Sequence, residues 1–145
     1  MPPERYIGLE IRNLSNLIRR DIENHADELE CKPNKAVRGW AIDYFFENRD
    51  RDIFQKDFEE KFSIRRSTAS NMLKLMEKNG LIVRKSVDSD ARLKKIVLTE
   101  KAVKVHNFIA EDIEKREKKL RKGLTDKEIE AFFSVIQKIK SNIEE

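Results

Sequence analysis

The chain has 145 residues, a length that suits one domain, or one domain with an appended helical part. Of these residues 40% are charged and 39% hydrophobic, and no apolar run approaches the ~20 residues that a membrane span needs. The single cysteine, Cys31, excludes an intrachain disulfide framework, and the first residues lack the apolar core of a secretory signal. These features predict a cytoplasmic protein with no membrane segment.

Two helices are predicted in the first third of the chain. Apolar residues recur every three or four positions from Tyr6 to about Leu29, which indicates one long amphipathic helix. Its apolar stripe has no neighbour in sequence to cover it, so a second subunit is expected to do so. A second, largely buried helix is predicted from an N-cap at Asn34 to about Asn48.

The segment from Phe54 to Gly80 predicts a helix-turn-helix, and Ile53 before it is expected to add a short strand. A short helix, Phe54 to Phe62, leads through a tight turn into a second helix that Gly80 ends, since glycine adopts a positive φ without steric cost. The apolar face of this second helix comprises Ala69, Met72, Leu73 and Met76. The opposite face, which has no carboxylate, comprises Ser67, Ser70, Asn71, Lys74 and Lys78. Such a helix suits the major groove of DNA.

A β-hairpin follows, with strands predicted at Leu81 to Lys85 and Lys94 to Leu98 and a turn from Val87 to Arg92. A hairpin directly after a recognition helix makes the unit a winged helix, whose tip can reach a minor groove. From Arg65 to Lys95 there are nine basic and three acidic residues, whereas the whole chain carries only +4. This local excess favours a polyanionic partner. The alternative is a winged helix that binds proteins and not DNA.

Two more helices are predicted after the wing. Thr99 is the expected N-cap of a helix to about Lys122, and Gly123 is expected to stop it. Thr125 and Glu128 form a capping box ahead of a last helix whose apolar stripe also needs a partner. The predicted fold is mainly α with a small β-wing, a winged helix-turn-helix with long N- and C-terminal dimerisation helices. Residues 1–32 and 100–145 are assigned to dimerisation, and residues 33–99 to DNA binding.

A series of motifs in this order resembles the MarR family of transcriptional regulators. The motifs are Gln55-Lys56-Asp57-Phe58, Ser67-Thr68, Met76-Glu77-Lys78-Asn79-Gly80-Leu81, Arg84, Asp90-Ala91-Arg92 and Leu98-Thr99-Glu100. Two positions depart from the family pattern: Glu59 stands where a small residue is usual, and Ser63 where glycine is common. Neither departure removes the predicted DNA-binding face.

The resemblance implies a homodimer in which each winged helix reads half of a pseudo-palindromic operator in double-stranded DNA. The residues it places at the major groove are Arg66, Ser67, Thr68, Ser70, Asn71 and Lys74. It places Arg92 in the minor groove, with Asp90 orienting the guanidinium. Arg65, Arg84 and Lys94 belong to the same basic segment and are expected at the DNA as well. The implied function is that of a repressor released by a small-molecule effector.

Other sites have weaker support in the sequence. Trp40 and Tyr44, one helical turn apart, form either the wall of an aromatic effector pocket or part of the core. Cys31 lies beside Glu30, and a neighbouring carboxylate does not favour a thiolate, so no redox role is expected. His25, Cys31 and His106 are too scattered for metal-ligand spacing, so no metal site is expected. No catalytic motif is present, so neither an enzyme nor a cofactor is expected.

Overall fold

The computed structural model describes residues 1–24 and 35–144, in which the chain is mainly helical with one two-stranded antiparallel sheet. This architecture confirms the predicted fold class, a winged helix-turn-helix with N- and C-terminal helices. The elements are α1 (Ile7–Asn24), α2 (Lys35–Glu47), α3 (Gln55–Phe62), α4 (Arg66–Lys78), β1 (Ile82–Val87), β2 (Asp90–Leu98), α5 (Glu100–Arg121) and α6 (Asp126–Glu144). Within the described ranges, every helix is too short or too polar to cross a membrane.

The chain divides into two compact units, Met1–Ala110 and Glu111–Glu145, and α5 runs through the division. In the first unit α1 packs on α2, α3 packs on α4, and the hairpin contacts both α2 and α4. The buried apolar side chains of this unit are Ile22, Ala41, Ile42, Phe45, Ile53, Phe58, Ala69, Met72, Leu73, Met76, Leu81, Ile82, Ile96, Ala102 and Ile109. This core holds the helix-turn-helix and the hairpin together.

The helix α4 has the amphipathic form that its sequence predicts. Its apolar stripe, Ala69, Met72, Leu73 and Met76, is buried. At its end Gly80 has a φ of 72°, and its N–H donates to the Glu77 carbonyl while the Leu81 N–H donates to the Met76 carbonyl. These two bonds form a Schellman motif, which requires the left-handed conformation that glycine adopts freely. The helix therefore stops where the wing must begin.

The turn between α3 and α4 is built on a serine in the left-handed region. Ser63 has φ 52° and ψ 43°, and the Ile64 N–H donates to the Glu59 carbonyl at 3.0 Å. The turn is thus a Schellman-type end of α3 formed without glycine. A residue with a Cβ carries a steric cost in this conformation of about 1–2 kcal/mol.

Replacing Ser63 with glycine is expected to stabilise the protein. The substitution removes the steric cost but increases the backbone entropy of the unfolded chain, which leaves a net gain of about 0.5–1 kcal/mol in the free energy of unfolding. Urea denaturation of Ser63→Gly beside the parent protein measures the gain. Ser134→Gly, in the exposed middle of α6, is the matched control and should destabilise instead. Equal effects of the two substitutions would show that the turn stores no strain.

The strands of the hairpin extend further toward the tip than the sequence predicts. The register runs from Ile82 opposite Leu98 to Ser86 opposite Lys94, and then shifts so that Val87 pairs with Asp90. The turn is therefore Asp88-Ser89 alone, and the prediction of a turn from Val87 to Arg92 is wrong. The intervening residues 91–93 form a bulge in β2, which turns the side chains of the tip away from regular pairing.

The hairpin is attached at its base to the rest of the first unit. The Ile96 N–H donates to the Ile53 carbonyl at 2.7 Å, but Ile53 is not part of a strand, so that prediction is wrong. Thr99 caps α5 as predicted: its Oγ1 accepts from the Ala102 N–H, and its hydroxyl donates to the Gly80 carbonyl at 2.6 Å. Thr99 therefore joins the start of α5 to the end of α4.

Of the remaining predicted helix boundaries, those near Gly123 and Thr125 are confirmed, and two others lie outside the described residues. Gly123, at a φ of 81°, follows α5, and the Thr125–Glu128 capping box starts α6 through both of its reciprocal hydrogen bonds. The predicted end of the first helix at Leu29 and the predicted N-cap at Asn34 lie outside the described residues, as do His25 and Cys31.

Candidate nucleic-acid interface

The polar face of α4 is open to solvent over its first three turns. Arg66, Ser67, Thr68, Asn71 and Lys74 are exposed, and Arg65 is exposed at the N-cap. The first turn contains no acidic residue, so nothing there opposes the attraction of the helix N-terminus for a phosphate. The face offers hydroxyl, amide and cationic groups, which are the donors that protein–DNA contacts use.

One glutamine at the start of α3 links this face to the wing. Gln55 Nε2 donates to Ser70 Oγ at 2.9 Å and lies 3.4 Å from the Arg66 carbonyl oxygen. Its Oε1 accepts from Arg84 Nη2 at 3.3 Å, across 29 positions of sequence. The amide of Gln55 therefore uses both of its ends, and sets the position of α4 relative to β1.

Two predicted DNA contacts are engaged in this link. Ser70 and Arg84 are half-buried, and the Arg84 Nε is buried without a partner among the described residues. In this arrangement the Arg84 guanidinium contacts Gln55 at the start of α3. Its positive charge adds to the electrostatic potential beside α4. Sequence patterns identified Gln55 only as part of a motif, because nothing in the spacing shows that it reaches the wing.

The wing tip presents an arginine that a carboxylate orients. Asp90 Oδ1 accepts from the Arg92 backbone N–H at 2.9 Å and lies 3.4 Å from its Nε. The Arg92 side chain is nevertheless 93% exposed. The contact is worth little as a surface ion pair, but it favours one direction of the side chain before any partner binds. Lys94 beside it is exposed, whereas Lys95 pairs with Asp52 at 3.4 Å.

The two rings that suggested an effector pocket have different environments. Trp40 is 38% exposed and so is not a core residue. Tyr44 is half-buried, contacts the rings of Phe45 and Phe62, and accepts a hydrogen bond from Arg51 Nη2 at 3.3 Å. A cleft of about 330 Å³ lies between the end of α2, the following turn and β2, but neither Trp40 nor Tyr44 lines it. Its wall includes Phe45, Arg49, Lys95 and Leu98.

A cluster of three ionisable side chains lies between α2 and α5. Asp43 and Glu47 are one turn apart on α2, and His106 of α5 directs its Nε2 to Asp43 Oδ1 at 3.0 Å. One ligand atom from each residue lies within 4.8 Å of the other two. One weak signal of this cluster is visible in the sequence, namely the i, i+4 spacing of the two carboxylates. Their proximity to His106 depends on the packing of two helices far apart in sequence.

Comparison with known proteins supports the same fold and family. A family model described as MarR family matches residues 44–93, which extend from α2 to the bulge of the wing. The uncharacterised HTH-type transcriptional regulator YybA of Bacillus subtilis (strain 168) is 27% identical over 140 residues, which cover 97% of this chain and 87% of YybA.

Two solved structures are similar over nearly the whole chain. The transcription regulator MarR from Oenococcus oeni PSU-1 is 26% identical with a TM-score of 0.80, covering 94% of this chain and 99% of that one. MepR of S. aureus, solved as a complex with DNA, is 20% identical with a TM-score of 0.84, covering 98% and 99%. At that identity the second comparison shows the fold alone.

Proposed function

Because the chain belongs to the MarR family of winged helix-turn-helix transcriptional regulators, we propose that it is a homodimeric repressor of a pseudo-palindromic operator, released by a small-molecule effector. DNA binding in transcriptional regulation, and not catalysis, is the activity of the family. The dimer, the direction of regulation, the effector and the individual contact residues are the parts that we propose.

The observation that supports this proposal most strongly is that two cationic contact elements, the polar face of α4 and the exposed Arg92 of the wing, lie in one compact unit. The open face of α4 supplies the major-groove contacts, and Arg92 at the wing supplies the minor-groove contact. The proposed DNA-binding residues are Arg65, Arg66, Ser67, Thr68, Ser70, Asn71, Lys74, Arg84, Asp90, Arg92 and Lys94. Within this set Asp90 and Arg84 are assigned to positioning, in keeping with their hydrogen bonds.

The proposed dimer uses the terminal regions, residues 1–32 and 100–145, while residues 33–99 bind DNA. Apolar side chains on both terminal helices support this assignment, because they are exposed in the single chain. On α1 these are Ile7, Leu9, Ile11, Leu14 and Leu17, and on α6 they are Phe132, Phe133, Val135 and Ile143. Exposed apolar faces of this extent are typical of interfaces, and a two-fold axis would relate two DNA-reading units.

The proposed effector is a small aromatic molecule that contacts Trp40 and Tyr44 on α2. Trp40 is 38% exposed, so part of its indole is accessible to a ligand. Trp40 is the single tryptophan of the chain, so its fluorescence reports binding directly. Titration with aromatic acids should change the emission, and should weaken operator binding in parallel if the molecule is the releasing effector.

Asn71→Ala is expected to change sequence preference more than overall affinity. An exposed amide on α4 can form two hydrogen bonds with an adenine edge, and its loss should remove about 1–3 kcal/mol of discrimination at one base pair. Lys74→Ala, three residues further along the same face, should instead weaken binding to all sequences alike. Competition between operator variants measures both effects. An unchanged base preference in Asn71→Ala would show that this residue faces away from the bases.

The experiment that tests whether the protein binds DNA is a measurement of its affinity for duplex DNA over a series of salt concentrations. A dimer that neutralises six or more phosphates should lose roughly a thousandfold in affinity between about 50 and 200 mM salt. A flat response would favour the alternative, a winged helix that binds proteins. The measurement requires no knowledge of the operator, because mixed duplex DNA reports the phosphate contacts.

A further inference from the structure

We propose that Asp43, Glu47 and His106 form a binding site for a divalent transition-metal ion, and that Zn²⁺ binds there more tightly than Mn²⁺ or Mg²⁺. The proposal goes beyond DNA binding, and it replaces the sequence-based expectation that the chain has no metal site. It rests on the convergence of three donor atoms from two helices of one compact unit.

The separations of the donor atoms suit coordination by one ion. In a tetrahedral site with metal–ligand bonds near 2.0–2.1 Å, adjacent ligand atoms lie about 3.3 Å apart. His106 Nε2 and Asp43 Oδ1 are 3.0 Å apart, so they need to open by only a few tenths of an ångström. The Glu47 oxygen lies within 4.8 Å of both, and its exposed side chain has the rotamer freedom to close the remaining distance.

The imidazole is held in place before any ion binds. His106 is 93% buried at its side chain, and its ring stacks on Phe46 at a centroid separation of 3.6 Å and an interplanar angle of 16°. Exposed acidic groups alone commonly bind nothing. Here a buried, fixed ring directs its Nε2 to the Asp43 carboxylate, which lowers the entropy lost on coordination.

The donor set determines the class of ion. One imidazole nitrogen with two carboxylate oxygens suits Zn²⁺ and other first-row metals, whereas Mg²⁺ prefers an octahedron of oxygens. Three protein ligands leave a fourth position for water, as in open zinc sites. On coordination the hydrogen that Nε2 shares with Asp43 leaves that atom to free its lone pair, and the neutral ring carries its hydrogen on Nδ1, which is buried without a partner among the described residues. Metal bonds to Nε2 and to the Asp43 carboxylate then replace the hydrogen bond. The order Mn²⁺ < Zn²⁺ follows from the general affinity series.

The competing interpretation is an ion pair or hydrogen bond between Asp43 and His106 without a metal. That interpretation gives Glu47 no role, because the contact at 3.0 Å joins only the other two residues. The metal site requires the Glu47 carboxylate. Glu47→Gln is therefore the decisive variant, since an exposed residue at the end of α2 can change without loss of the fold.

The experiment is calorimetric titration of the chelator-treated full chain, without DNA, with ZnSO₄, MnCl₂ and MgCl₂ in turn. We expect one Zn²⁺ per chain, weaker Mn²⁺ and no saturable Mg²⁺ binding. Glu47→Gln and His106→Asn should each weaken Zn²⁺ by at least about tenfold. Glu60→Gln, with the same charge change on α3, and His25→Asn, which removes the other histidine of the chain, should leave the affinity unchanged.

Two results would overturn the proposal. One is the absence of saturable Zn²⁺ binding to the parent protein. The other is a Zn²⁺ affinity that is unchanged in Glu47→Gln or lost in His25→Asn, since the ion would then bind elsewhere. Thermal unfolding with and without Zn²⁺ provides a second readout: at the same Zn²⁺ concentration the metal should raise the melting temperature of the parent and of Glu60→Gln by more than that of Glu47→Gln. Failure of the DNA experiments would not affect these outcomes, because no DNA is present.

Discussion

Arg92→Ala is expected to weaken binding to most duplex sequences by about tenfold or more, because each well-placed groove contact contributes about 1–3 kcal/mol. The side chain is 93% exposed at the wing tip, and its Nε lies 3.4 Å from Asp90 Oδ1. Its removal should therefore cost no core packing, and the loss should appear in DNA binding alone. The slope of affinity against salt should also fall by about one charge.

Fluorescence anisotropy with several unrelated duplexes measures this loss. Lys104→Ala is the matched control, because it removes one exposed cation from α5, outside the proposed DNA-binding set. Thermal unfolding of both variants should match that of the parent. If Arg92→Ala bound as tightly as Lys104→Ala, the wing would not be part of the interface.

Phe132→Glu is expected to convert the dimer to monomers at micromolar concentrations. Phe132 is 52% exposed in the single chain and forms an edge-to-face pair with Phe133 on α6. In the proposed dimer this region is covered, and an unpaired carboxylate buried there costs several kcal/mol. Operator affinity should fall by more than tenfold, since a monomer engages only one half-site.

Sedimentation velocity measures the change in mass. Ser134→Glu is the matched control, because it adds the same charge to the same helix about 200° around from Phe132, at another exposed position. A Phe132→Glu protein that sediments as a dimer would show that α6 does not form the interface. The apolar face of α1 would then be the remaining candidate.

Local chemistry explains why much of the recognition unit was predictable. Ala69, Met72, Leu73 and Met76 follow the helical period because that period is how a short helix covers a core. Gly80 marked the end of α4 because few other residues adopt its φ of 72° at no cost. The Thr125–Glu128 box likewise depends on a spacing of three residues, so its two hydrogen bonds could be read from the sequence.

Features that depend on register or on tertiary packing were not predictable. The segment from Val87 to Arg92 contains Asp88, Ser89 and Asp90 and so resembles a turn. The chain nevertheless turns at Asp88-Ser89, and residues 91–93 form a bulge in β2. The link from Gln55 to Arg84 crosses 29 positions, and the contact from Asp43 to His106 crosses 63. No periodicity encodes such pairs, because each depends on how two elements pack.

Selection of bound duplexes from a random pool tests whether two copies of this recognition unit read DNA together. We expect enrichment of a pseudo-palindrome whose half-sites are centred about one helical turn, ~10 base pairs, apart, or a multiple of it. Arg92→Ala should enrich the same half-site with lower yield. Enrichment of a single unrepeated element, or of no sequence at all, would show that two copies do not bind DNA together.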